Sequence, residues 1–194
     1  YYFLFLTITL GFKESTFFLG IGIGILIFLS RREWLKVSLI TIVLSIIWGY
    51  LSIKIIIPAF SNGFYMYVPS LSANIFDNIL AFIDHPLKQR TLFYSLSSFG
   101  FLPFLTPEFW FLLLQDYAVR FIGSPCCTRW DMGLHYNAQS AVILAVSTMF
   151  ALRRLQRVRI ISKFMPLLGI LVVGNALFLY RFILHGPFGL AYNP

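Results

Sequence analysis

The stretch VSLITIVLSIIWGYLSIKIII, residues 37–57, decides the fold, because 21 consecutive positions carry a single charge, Lys54. A helix needs roughly 20 apolar residues to cross a hydrocarbon core of about 30 Å, and within that core its backbone polar groups must be satisfied internally. Similar runs restart along the whole chain. Of its 194 residues 59% are hydrophobic and 11% charged, which excludes an ordinary soluble domain. The sequence therefore predicts an all-α, polytopic transmembrane helix bundle. Chemistry is to be sought at helix ends and in loops.

Charges, Pro and Gly divide the chain into helices expected at 1–11, 15–30, 36–57, 91–105, 107–122, 135–153 and 163–184, about five to seven of them crossing the membrane. They are read as one transmembrane domain over residues 1–194. The start at Tyr1 without a signal-peptide pattern, and the loop-like end over 186–194, mark the chain as an internal part of a longer protein.

The net charge of +8 takes its meaning from placement. Eight of the 15 Lys and Arg fall in two short segments between apolar runs, Arg31, Arg32 and Lys36 in one, Arg153, Arg154, Arg157, Arg159 and Lys163 in the other. That is the pattern of cytoplasmic loops, not of a nucleic-acid surface. With 31–36 cytoplasmic, helix 36–57 runs outward, the pair 91–105 and 107–122 goes in and returns, and helix 135–153 delivers 153–163 to the cytoplasm again. Parity and charge agree. At 15 or 16 residues each, the paired helices reach only about 22–24 Å, so a re-entrant hairpin through Pro103 and Pro107 is the alternative to two spans. The outer segment 58–90 is expected to contain an interfacial helix, since Ile75, Phe76, Ile79, Leu80 and Ile83 follow helical spacing. Ser70 or Ser72 would cap it and Pro86 would end it. Packing of that stripe on the bundle is the rival reading.

Gly20-Ile21-Gly22-Ile23-Gly24 lies inside an apolar helix with no strand before it, so it is no nucleotide loop. Gly20 and Gly24 instead permit close helix approach. Cys126 and Cys127 are adjacent, a poor geometry for a mutual disulfide, and two cysteines form no zinc pattern. Neither a metal nor a cofactor is specified by the sequence.

Two polar groups remain on the outer side. Lys13 and Glu14 form either a solvated turn, with Ser15 or Thr16 starting the next helix, or a pair over an outer cavity in which Lys13 attracts a phosphate and Glu14 orients it or accepts a proton. Lys54 and Arg181 are read as cations that anchor their helix ends. The denser group is Gln115, Asp116, Arg120, Arg129, Asp131, His135 and Tyr136. Asp116 and Arg120 stand four apart on one helix face, as an ion pair would. Arg129, Asp131, His135 and Tyr136 place a phosphate-binding fork, two proton-exchanging groups and a phenol before a membrane helix. An interfacial belt of aromatic and polar residues is the plainer reading of the same residues.

The order of these features, residues 10–14 before an apolar helix and Arg31-Arg32, then 54–58, Gly100-Phe101-Leu102-Pro103, Gln115-Asp116, and His135-Tyr136 opening a helix that ends at Arg153-Arg154, resembles the prokaryotic membrane family called domain of unknown function 2079 (DUF2079). The resemblance covers nearly the whole chain. Lys13, Glu14, Asp116, His135 and Tyr136 match its recurring polar positions, whereas Gln115 stands where a proline is expected. The family is distantly similar to membrane glycosyltransferases that take sugars from polyprenyl-phosphate carriers at the outer face. That similarity implies a prokaryotic plasma membrane and a carrier lipid as partner. With Arg129 and Asp131 added from the reading of the residues themselves, the catalytic candidates are Glu14, Asp131 and His135 and the substrate-binding ones Lys13, Asp116, Arg129 and Tyr136. A transporter or flippase, with Glu108 on its path, and a scaffold without ligand are the rivals.

Overall fold

A computed structural model describes residues 1–61, 71–122, 129–132 and 137–183. Every regular element in them is helical. In chain order these are α1 (Tyr2–Phe12), α2 (Thr16–Ser30), α3 (Leu35–Leu51), α4 (Ile57–Phe60), α5 (Ile75–Leu80), α6 (Pro86–Ser98), α7 (Trp110–Phe121), α8 (Asn137–Leu155), α9 (Arg159–Ser162) and α10 (Met165–Phe178). A π-helical turn, Ser52–Ile56, joins α3 to α4, and another, Leu179–Ile183, extends α10.

The expected boundaries move where proline was misread. Helix 36–57 does not stop before Pro58. Proline lacks the N–H that would bond to Lys54 and its ring would crowd that carbonyl, so the backbone widens to a π turn at Ser52–Ile56 and continues to Phe60. Pro86 ends no interfacial helix. It starts α6, because the first helical position loses nothing by lacking a donor and His85 Nδ1 accepts the Leu87 N–H at 3.2 Å. The helix expected at 91–105 accordingly spans Pro86–Ser98, and Gly100 (φ 60) and Phe101 (φ 56), both left-handed, turn the chain away. Asn74 caps α5, its side chain accepting from Phe76 N at 3.0 Å, while Ser70 lies outside the described residues. The stripe Ile75, Phe76, Ile79, Leu80 and Ile83 is exposed.

Two helical stretches are long and apolar enough to cross a membrane, Arg32–Phe60 and Met165–Ile183, with α1 and α2 shorter and equally apolar. α6 and α7, at 13 and 12 residues, reach about 18–20 Å.

The chain packs as two compact units. The first holds α1 to α4 and the part of α7 from Phe111 onward. The inward face of α3 is made of small residues: Ser38, Thr41, Ser45 and Gly49, followed by Ser52 of the π turn, are buried, as are Leu6, Leu10, Leu112 and Phe121 of the neighbouring helices, while Leu39, Ile40, Val43, Ile46 and Ile47 of α3 face outward. Small groups inside and large apolar ones outside is the arrangement lipid favours, since burying leucine gains nothing against hydrocarbon and close backbone approach does. A Cβ on Gly24 would lie 3.1 Å from the Ser38 carbonyl and 2.5 Å from Ile42 Cγ1, and one on Gly20 only 2.1 Å from Ser45 Oγ. Both glycines therefore seat α2 against α3, and Gly22, between them, faces Leu112 of α7. The hydroxyls are satisfied locally, Ser38 donating to the Gly24 carbonyl at 2.8 Å and Tyr2 sharing a 2.9 Å hydrogen bond with Thr41.

The second unit holds α5, α6 and α8 to α10. Thr106 and Ser147, both fully buried, hydrogen-bond at 2.6 Å where the turn after α6 meets α8. Phe109 packs on Phe150 beside them.

Candidate functional site

Lys88 stands in the first turn of α6, where the positive end of the helix dipole disfavours a cation. Its neighbours must compensate, because the side chain is only 2% exposed. The ammonium donates to Asp84 Oδ1 at 2.8 Å and to the Ala81 carbonyl at 2.8 Å, and lies 4.1 Å from the centroid of the Trp130 ring. The indole N–H of Trp130 is enclosed without a hydrogen-bond partner, so the ring serves through its electron-rich face. Thr91, also buried, donates to the Trp130 carbonyl, His85 lies 5.1 Å from the Trp130 ring, and Asn137 Nδ2 donates to the Asp131 carbonyl at 3.0 Å. The short loop carrying Arg129, Trp130 and Asp131 is thereby fastened to the starts of both α6 and α8. Asp131 is exposed and Arg129 half-buried on either side of the sunken tryptophan.

The opposite end of α8 holds a second polar contact. Arg154 donates to Glu108 Oε1 at 2.8 Å and to the Leu105 carbonyl at 2.6 Å. From Asn137 to Arg154 the helix rises about 26 Å, close to the thickness of a hydrocarbon core. One end of the second unit thus gathers Lys88, His85, Arg129 and Asp131, and the other opens into Arg153, Arg157, Arg159 and Lys163.

In the first unit, Asp116, Tyr117 and Arg120 of α7 are buried together. The Arg120 guanidinium lies 5.7 Å from the Tyr117 ring and 5.6 Å from that of Phe121. Gln115, beside the passage that Gly22 opens for α7, has both amide atoms enclosed without a hydrogen-bond partner among the described residues. Lys13 is exposed and Glu14 partly so, in the turn between α1 and α2. Thr16 braces that turn by donating to the Lys13 and Leu10 carbonyls, whereas the Ser15 side chain caps nothing. His135, Tyr136, Cys126 and Cys127 lie outside the described residues. No cluster of three or more His, Cys, Asp or Glu with metal-binding geometry occurs among those described.

The sequence reading passed over Lys88. Its signal was Asp84 four residues earlier, hidden by placing 86–90 in a loop.

Two helical stretches long and apolar enough to cross a bilayer, one of them burying small polar residues and turning its large apolar ones outward, with ionisable clusters at helix ends, define a helical membrane protein. The chain belongs to the DUF2079 family of predicted membrane proteins, whose model matches residues 1–185. No curated protein and no solved structure matches it.

Proposed function

We propose that the chain is part of a polytopic membrane enzyme of five to seven spans that transfers a sugar from a polyprenyl-phosphate donor at the outer face of a prokaryotic plasma membrane. The observation that carries this reading is the braced loop at the start of α8, which holds Arg129 and Asp131 at the end of an apolar helical unit opposite its basic end. In a membrane the basic end favours the cytoplasm, which turns the Trp130 end outward. Arg129 and Lys13 are the cations proposed to hold a carrier phosphate. Glu14, Asp131 and His135 are the groups proposed to move the proton of the acceptor, with Asp116 and Tyr136 contributing to substrate binding.

The assay is sugar transfer by membranes containing the full-length protein, with a polyprenyl-phosphate sugar as donor. Glu14→Gln and His135→Ala are each expected to lower transfer by about 10²–10⁴-fold while leaving membrane insertion unchanged. Full activity in both variants removes the assignment.

The transporter reading relies on Glu108. Its carboxylate is paired with Arg154 at one end of the unit, which weighs against a role along a central path. Solute flux that disappears in Glu108→Gln would reverse that judgement.

A further inference from the structure

The Arg154 end of the second unit has two features that the proposed transfer reaction does not use. The first is a run of exposed aromatic rings, Phe93, Phe101, Phe104 and Trp110, with successive centroids 5.8, 6.2 and 6.3 Å apart and the Phe101 and Phe104 rings nearly parallel at 8°. Phe101 takes its place in the run in a left-handed conformation that a bulky side chain disfavours. The turn is pinned nonetheless: Trp110 Nε1 donates to the Pro103 carbonyl at 3.3 Å, and Arg154 holds the Leu105 carbonyl.

The second feature is the cationic segment around Arg154, the residue that holds the aromatic turn. Arg154 is committed to Glu108 and Leu105, but Arg153, Arg157, Arg159 and Lys163 are exposed and have no acidic partner among the described residues. Arg157 N–H donates to the Arg154 carbonyl at 3.1 Å, so the turn that begins the cationic segment starts at the residue that anchors the aromatic run. Val158, Ile160 and Phe164 are interleaved with the cations and exposed as well, Ile160 by 75%. Water alone suits only half of these side chains.

We propose that this end of the unit binds an anionic phospholipid, with the headgroup phosphate on Arg153, Arg157 and Arg159 and an acyl chain along Phe93, Phe101, Phe104 and Trp110. Charge complementarity selects the headgroup, and the aromatic run together with Val158, Ile160 and Phe164 requires hydrocarbon, which a nucleic acid or an acidic peptide would not supply. The site is separate from the proposed transfer centre at the other end of α8 and does not depend on it.

The test uses the full chain in nanodiscs of equal parts phosphatidylglycerol and phosphatidylcholine, with the lipids retained after detergent extraction counted by native mass spectrometry. The unaltered protein is expected to retain phosphatidylglycerol over phosphatidylcholine by about tenfold. The triple variant Arg153→Gln, Arg157→Gln, Arg159→Gln should bring the ratio close to one, and Phe104→Ala should lower the total retained. The triple variant Arg31→Gln, Arg32→Gln, Lys36→Gln, at the other basic segment, should leave the ratio unchanged. A ratio near one in the unaltered protein overturns the proposal, and so does an equal loss in the two triple variants, since any basic loop near a bilayer would then do.

Discussion

The Trp130 ring centroid lies 4.1 Å from the ammonium of Lys88, which Asp84 and the Ala81 carbonyl also hold. The contact joins the first turn of α6 to the loop before α8, and its energetic content is that of a buried cation with two partners from the preceding turn and one brought from the far loop. Removing one partner strands a charge, whereas removing the charge does not.

Trp130→Ala is accordingly expected to destabilise the protein by about 2–4 kcal/mol, more than Lys88→Met does. In the Lys88→Met background the Trp130→Ala change should lose roughly half its effect. Thermal unfolding of the four proteins in one detergent checks this, and strictly additive effects would show that the ring does not act through the cation.

Gly24→Ala tests how α2 meets α3. Alanine favours a helix by up to about 1 kcal/mol over glycine, so a substitution without steric consequence stabilises. At Gly169 of α10 nothing lies within 4 Å of the added carbon, and Gly169→Ala should be neutral or stabilising. At Gly24 the Ser38 carbonyl stands 3.1 Å away and cannot rotate aside. Gly24→Ala should therefore lower stability by about 1–3 kcal/mol, read as a fall in unfolding temperature.

Gln115→Met removes two enclosed polar atoms that have no partner among the described residues and keeps the side-chain volume. Each such group costs about 1–3 kcal/mol, so stability should rise. A fall instead would mean that the amide has a partner in the membrane-embedded protein.

Much of this architecture could be read from the chain. The spacing of Gly20 and Gly24 announces a close helix approach, and the stripe at Ile75, Phe76, Ile79, Leu80 and Ile83 announces a helix over 70–84, of which the structure forms only Ile75–Leu80. Both signals are local and periodic. Prolines misled because one residue type both starts and stops helices. Pro86 reads as an end although His85 before it supplies a cap, and Pro58 reads as an end although a π turn absorbs its cost. The Lys88 cage could not be read in full, since Trp130 reaches it only through the fold, and neither could the left-handed Phe101, a conformation that the residue disfavours. Of the candidate site residues, Arg129 and Asp131 flank the braced loop, Asp116 is buried with Arg120, and Lys13 and Glu14 share a turn.

The central claim is that the two ends of α8 face opposite sides of a membrane, with the Trp130 loop outside. It is tested by replacing Cys126 and Cys127 with serine, introducing Asp131→Cys or Arg157→Cys one at a time, and labelling intact cells with a membrane-impermeant maleimide. The account predicts that the cysteine at 131 labels in intact cells and the one at 157 only after lysis. Labelling of both from one side, or the reverse order, would contradict it.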